Sequence, residues 1–281
     1  MFSKVGIVAR TDRKNAFDCA IELMKYLHSR EIKVYLEPSL AQYSRRPDLA
    51  KDLKDMNVDL IITVGGDGTI LKTCLQIPKP EPPILAINMG IRGFLTEVKP
   101  NEGLKALERC LKGDYQIEEI TKIASYIGDE RLPDALNDVY ITSKIPAKLL
   151  FAEILKSDTK VGYCRADGFV VATKAGATGY SLSAGGPLLD PEVNAFILTP
   201  ICPLTHFYPL IFPDSSEIKI RLLKTKEAVV VIDGDYIRDL SKEENVISLR
   251  SSEYKTRFVR FDMNFYNRVR RRLLISRGMK L

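Results

Sequence analysis

Apolar positions fall into two regimes along the chain. Up to about residue 115, short apolar runs at 5–9, 34–36, 60–64 and 84–87 alternate with stretches at 16–29, 48–56 and 102–111 whose apolar residues recur every three or four positions. A further helix-like run, 70–76, follows directly on the third apolar run. Unbroken apolar runs suit strands buried on both faces, and the 3.6-residue period suits helices that cover them, so this half predicts βαβ units on a parallel sheet. Beyond residue 115 the helical period stops. Strand candidates at 124–127, 139–142, 149–155, 169–173, 195–198, 217–223, 228–232 and 246–249 follow one another across Gly, Asp, Pro or Lys turns, which predicts an antiparallel, all-β region. The expected fold class is therefore α/β + β: a Rossmann-like α/β domain at 1–115 and a β-rich domain at 116–261. A basic amphipathic helix is expected at 265–275, within a 262–281 segment that packs back on the first domain. No repeat or low-complexity segment interrupts this plan.

Composition changes the picture only by exclusion. With 281 residues, 45% apolar and 28% charged, the chain is an ordinary globular protein of one or two domains. It has no run of about 18 apolar residues, and its first residues read as a strand rather than a signal peptide, so no membrane partner and a cytoplasmic location are expected. Five cysteines, Cys19, Cys74, Cys110, Cys164 and Cys202, are scattered without a Cys-x-x-Cys pair. They are expected to be buried thiols, with neither a disulfide framework nor a zinc site. The net charge of +6 owes much to Arg268, Arg270, Arg271, Arg272, Arg277 and Lys280. Without interleaved aromatics these read as a solvated face over Val269 and Leu273 and not as a nucleic-acid element, and the charge balance suits an anionic substrate.

The candidate chemistry begins where the run 60–64 meets the helix-like run 70–76, at Gly65-Gly66-Asp67-Gly68-Thr69. Glycines let the backbone approach a ligand, and amides at a helix N-terminus suit phosphate. A carboxylate there repels phosphate unless it binds a metal or handles a proton; the plain alternative is an Asp-Gly turn. Neither the Walker pattern nor Gly-x-Gly-x-x-Gly is present. A second small-residue cluster, 173–187, mixes glycine and alanine with hydroxyls and can admit a flat ring, or can simply close a loop onto the sheet. Asn137 and Asp138 stand at a strand entrance, Lys148 is expected on the next strand, and Arg165 and Asp167, two apart on a strand, would share one face. Converging on one cleft, these residues would read a sugar and a diphosphate.

Taken in order and spacing, Gly65–Thr69, the stretch 83–97, Leu136-Asn-Asp-Val139, the Asp167-Gly168 pair leading into 173–187, and Pro200-Ile-Cys-Pro203 resemble the NAD kinases over nearly the whole chain, from Val5 to about residue 262. The resemblance implies phosphorylation of the adenosine-ribose 2′-hydroxyl of NAD by ATP or polyphosphate with Mg²⁺, giving NADP, in a homodimer or homotetramer. It implies that Asp67 is the proton acceptor, that Gly66, Gly68 and Thr69 cradle phosphates, and that Lys72 meets a phosphate. Asn137 and Asp138 would hold a ribose, and Lys148, Arg165 and Asp167 would line the dinucleotide site, partly from a neighbouring subunit. Ala175, Thr178, Gly179, Tyr180, Ser181, Leu182 and Ser183 would line the nicotinamide end and ribose, and Asp235 takes the place of a glutamine. No protein metal ligand is implied.

The chain also departs from that pattern. Thr173-Lys-Ala-Gly-Ala-Thr-Gly-Tyr180 lacks the hydroxyls usual at 175 and 177, Asp138 is one methylene shorter than the usual Glu, and Leu204 replaces a histidine, with His206 nearby expected to be structural. Two other readings fit parts of the chain: a non-catalytic NAD(P)-binding module, and a lipid kinase sharing the glycine-rich turn. An unpaired Asp67 carboxylate among phosphates contributes nothing to a pure binder. A lipid tunnel calls for more than this small, polar cluster.

Overall fold

The computed structural model describes residues 2–90, 93–204, 206–223, 227–241, 243–262, 266, 269 and 270. It divides into two compact units, one joining the residues up to Ile120 with those from Lys255 onward, the other being Thr121–Tyr254. The helix expected at 265–275 lies largely outside the described residues.

The first unit contains β1 (Lys4–Ala9), α1 (Lys14–Ser29), β2 (Lys33–Leu36), α2 (Pro38–Tyr43), β3 (Leu60–Gly65), α3 (Asp67–Gln76), β4 (Ile84–Asn88) and α4 (Gly103–Leu111). Its strands form the expected parallel sheet, in the order β2-β1-β3-β4. Every residue of β3 is buried, which is why the run reads as continuously apolar. The apolar stripe of α1, Ala16, Cys19, Ala20, Leu23, Met24 and Leu27, joins Ala106, Leu107 and Cys110 of α4 in one core with Val5, Ile7, Ile62 and Leu85.

No helix spans 48–56. Two single 3-10 turns, Pro47–Leu49 and Leu53–Asp55, stand there instead. Between them Ala50 bridges to Leu36 and the Lys51 amide donates to the Leu36 carbonyl at 2.9 Å, so this piece of chain is pulled beside β2 and cannot coil. The unforeseen α2 forms earlier, with Pro38 in its first turn and the Glu37 carboxylate accepting the Leu40 amide at 3.3 Å.

The second unit is entered within β5 (Gln116–Ile127) and continues through β6 (Glu130–Arg131), β7 (Asp138–Ser143), β8 (Leu150–Lys156), β9 (Thr159–Ala166), β10 (Gly168–Ala172), α5 (Tyr180–Ser183), β11 (Ala195–Ile201), β12 (Leu210–Pro213), β13 (Ile218–Leu222), β14 (Ala228–Ile232), β15 (Tyr236–Leu240) and β16 (Val246–Arg260). Antiparallel β12-β11-β10-β7-β14-β15 form one sheet, and β16, β13, β8 and β9 pair antiparallel in that order. The last part of β16 belongs to the first unit, where Phe258 pairs in parallel with Ile84. Cys19, Cys74, Cys110 and Cys164 are buried thiols as expected; Cys202 is exposed. No described helix is long and apolar enough to cross a membrane.

Candidate active site

In the first unit the order β2-β1-β3-β4 reverses its direction of winding between β1 and β3, and the crevice outside the carboxyl ends of those strands is where open α/β sheets bind ligands. A cavity of about 370 Å³ opens there, lined by Val8 and Ala9 at the end of β1, by Arg10, Thr11 and Asp12 after it, and by Gly66, Gly68, Thr69 and Lys72 after β3. The glycines have separate duties. A side chain at Gly65 would place its Cβ 2.2 Å from the Thr69 hydroxyl, so this residue must be bare for the strand to turn into α3. A Cβ at Gly66 or Gly68 would meet nothing within 4 Å; their bareness leaves the cavity open.

Asp67 is not in mid-loop. It is the first residue of α3, capped by Gly66, where the helix dipole favours an anion. Nor is its carboxylate unpaired, as the sequence reading supposed: it accepts the amides of Phe94 at 2.7 Å, Leu95 at 3.2 Å and Thr96 at 3.4 Å. Gly93 must be bare for this strap to close, since its Cβ would lie 3.1 Å from Asp67 Oδ1 and 2.3 Å from Thr96 Oγ1. Lys72, one turn along α3, is exposed.

In the second unit Asn137 precedes β7 and Asp138 begins it, as expected. Both are arranged by a residue that the sequence reading passed over: Asp233 accepts the amides of Leu136 (2.8 Å), Asn137 (2.7 Å) and Asp138 (3.0 Å). The signal lies in Ile232-Asp-Gly-Asp235, where the second carboxylate, Asp235, is exposed in the turn after β14 and the first is buried. Burial and the nearby Asp233 carboxylate push Asp138 up to about 7. Burial raises Asp233 as well, against the pull of its three amides. The Oδ1 atom of Asn137 is buried with no hydrogen-bond partner among the described residues.

The small-residue cluster folds against this pair. Thr173 Oγ1 donates to the Leu136 carbonyl at 2.6 Å and accepts the amides of Ala175 (3.1 Å) and Gly176 (3.2 Å). Thr178 Oγ1 caps back on the Ala175 carbonyl at 2.9 Å, and Gly179 lies 3.8 Å from Asn137 Nδ2, measured from the position of its missing Cβ. Tyr180 stands edge-on to Tyr140 with ring centroids 5.1 Å apart, and burial raises its phenol to about 12. Ser181 is fully buried and paired with Thr199 at 2.9 Å, so it supports the cluster from within. Leu182 is half-buried and Ser183 exposed.

The remaining expectations need correction. Lys148 lies in the loop before β8, not on it, and Asp167 sits in the bend between β9 and β10, so Arg165 and Asp167 do not share a strand face. The chain must change sheets there, and the bend carries out that change. Lys148 and Arg165 line a separate hollow of about 360 Å³ with Phe151 and Leu204, the Arg165 guanidinium lying 4.7 Å over the Phe151 ring. His206 is exposed. Among the described residues no three His, Cys, Asp or Glu come together in a way that could hold a metal ion.

A glycine-lined crevice at the N-terminus of α3 with a strapped carboxylate beside it suits a phosphotransferase with an alcohol acceptor. The chain belongs to the NAD kinase family: the ATP-NAD kinase N-terminal domain matches residues 5–115 and the ATP-NAD kinase C-terminal domain residues 136–261. It is 42% identical over 274 residues to an NAD kinase of Methanothermobacter thermautotrophicus, covering 96% of both chains. Its fold is similar to that of a crystallised NAD kinase from Archaeoglobus fulgidus in complex with ATP, with a TM-score of 0.80 at 28% identity over 95% of this chain and 99% of that one. It is also similar to yeast NADH kinase complexed with NADH, with a TM-score of 0.88 at 26% identity over 99% of this chain and 89% of that one.

Proposed function

We propose that Asp67 takes the proton of the adenosine-ribose 2′-hydroxyl of NAD as that oxygen attacks the terminal phosphorus of ATP or polyphosphate. The O–P bond forms, the bridging P–O bond breaks, and NADP leaves with the shortened donor. The observation that carries this reading is the Asp67 carboxylate, fixed by three amides at the first turn of α3 beside the glycine-lined crevice. A general base so oriented is worth about 10²–10⁴ in rate. Gly66, Gly68 and Thr69 cradle donor phosphates by backbone approach, and Lys72 meets one of them by charge. That similar solved structures hold ATP and NADH supports a nucleotide donor and a nicotinamide dinucleotide acceptor.

Asn137 and Asp138 hold a ribose of NAD, the buried and unpartnered Oδ1 of Asn137 offering an acceptor to a hydroxyl. Gly179 and Tyr180 border the ring. Mg²⁺ fits as an ion carried in on the donor, since it binds through phosphates and one or two carboxylates more often than in an all-protein cage. Bound there, it offsets phosphate charge.

The enzyme works as a homodimer or homotetramer in which Lys148 and Arg165 complete the NAD site of a neighbouring subunit. Exposed apolar side chains on β9 and downstream support association: Tyr163, Leu204, Tyr208 and Ile211 are 49–74% accessible. A cytoplasmic location accords with five free cysteines.

The test is NADP formation from NAD, Mg²⁺ and ATP or polyphosphate, read with an NADP-specific dehydrogenase. Asp67→Asn abolishes turnover and leaves NAD binding within a few fold, because removing a base affects the transition state more than the ground state. Near-normal kcat in that variant removes Asp67 from the base role.

A further inference from the structure

Arg260, the last residue of β16, is 1% exposed. Desolvating a guanidinium is costly unless its donors are well paired, and those of Arg260 are. Nε donates to Glu118 Oε2 at 2.6 Å, Nη1 donates to the Leu95 carbonyl at 2.7 Å and lies 3.6 Å from Glu97 Oε2, and the guanidinium sits 4.7 Å over the Phe258 ring. Glu97 is itself tied down, its Oε1 accepting the amides of Phe261 at 2.6 Å and Asp262 at 2.8 Å.

Two of these contacts, to the Leu95 carbonyl and to Glu97, reach the strap that holds Asp67 and its continuation. The Leu95 carbonyl taken by Arg260 belongs to the same peptide group as the Thr96 amide that points at Asp67 Oδ1, and the Leu95 amide points at the same oxygen. A cation on a peptide oxygen polarises that peptide and strengthens its N–H as a donor. We propose that Arg260 is a positioning residue for phosphoryl transfer: its buried guanidinium pins the Leu95 carbonyl so that the amides of residues 94–96 keep the Asp67 carboxylate aimed at the acceptor hydroxyl. This rests on the reading of Asp67 as the base. Arg260 touches no substrate in this scheme, so its loss acts on kcat and leaves the KM for NAD alone.

The experiment compares Arg260→Lys, Asp67→Asn and the double variant, each with its folded fraction measured by circular dichroism and thermal melting. Lysine keeps a charge opposite Glu118 and loses the two-sided reach to Leu95. The expected result is a kcat per folded enzyme lowered about tenfold or more, the scale of a small misplacement of a reacting group, with KM for NAD within about twofold. On any residual turnover of Asp67→Asn the same change has no further effect, because the two residues act through one group. A normal kcat for folded Arg260→Lys beside an inactive Asp67→Asn overturns the proposal and leaves the base intact. Near-normal kcat in Asp67→Asn itself overturns the base reading, and the proposal with it. If Arg260→Lys does not fold, Glu97→Ala, which slackens the strap from its far end, takes its place: lowered kcat at unchanged KM upholds the proposal, and unchanged kcat overturns it.

Discussion

Asp138 sits where its charge is resisted, buried beside Asp233 at the mouth of β7, and its value of about 7 lies well above the ordinary 3.8. The native state therefore keeps a proton that the unfolded chain has already released, so the contribution of Asp138 to stability is full below pH 3.8 and is lost as the pH rises from there to about 7. Asp233, also raised, adds to that slope. Asp138→Asn is expected to flatten the fall, measurable as denaturation midpoints at pH 4.5 and 7.5. The same residue gives binding the opposite trend: a carboxylate accepts from two ribose hydroxyls and its protonated form from fewer, so the KM for NAD rises as the pH drops below 7. A KM independent of pH between 6 and 8 would remove Asp138 from the ribose. Asn137→Ala, next to it, is expected to raise that KM by about 1–3 kcal/mol of lost hydrogen bonding, read as a change in initial rates at varied NAD.

At the level of elements, the segment 173–183 is held by close approach. A Cβ on Gly176 would lie 2.1 Å from the Asn137 carbonyl oxygen, backbone against backbone, so Gly176→Ala must push the cluster off the entrance of β7. A loss of about 1–3 kcal/mol and a raised KM for NAD are expected, checked by urea midpoint and kinetics; if neither moved, the approach would be dispensable. Which elements were legible follows from burial. The central strands β1, β3, β4, β10 and β11 are apolar almost throughout and stand out in the sequence. The strands absent from the expected runs, β6, β9, β12 and β15, each lie at the edge of a sheet, where side chains meet water and the pattern thins; of β9 only its end, at Arg165, is expected. The expected helix at 48–56 had its apolar spacing in Leu49, Leu53 and Met56, but pairing of Ala50 with Leu36 is a tertiary contact that no local pattern encodes. Likewise Asp67 was legible as chemistry, whereas its three donors are backbone amides, which every residue type but proline supplies alike.

On the scale of the molecule, Lys148 and Arg165 line a hollow that holds none of the residues grouped around Asn137, which fits groups lent to a second subunit. Mixing Asp67→Asn with Arg165→Ala protomers after mild dissociation should restore NADP formation, because a hybrid contains one site with both groups intact. Full activity from a preparation that sediments as a monomer would refute that arrangement. The path of the chain has a further result. The first unit is left within β5 and rejoined only at Lys255, after the whole of the second. Since a growing polypeptide leaves the ribosome N-terminus first, the glycine turn and Asp67 are made before the second unit, while Arg260 is made only after all of it. On the proposed role of Arg260, a nascent chain thus carries the Asp67 turn through the whole synthesis of the second unit before the residue that aims it exists.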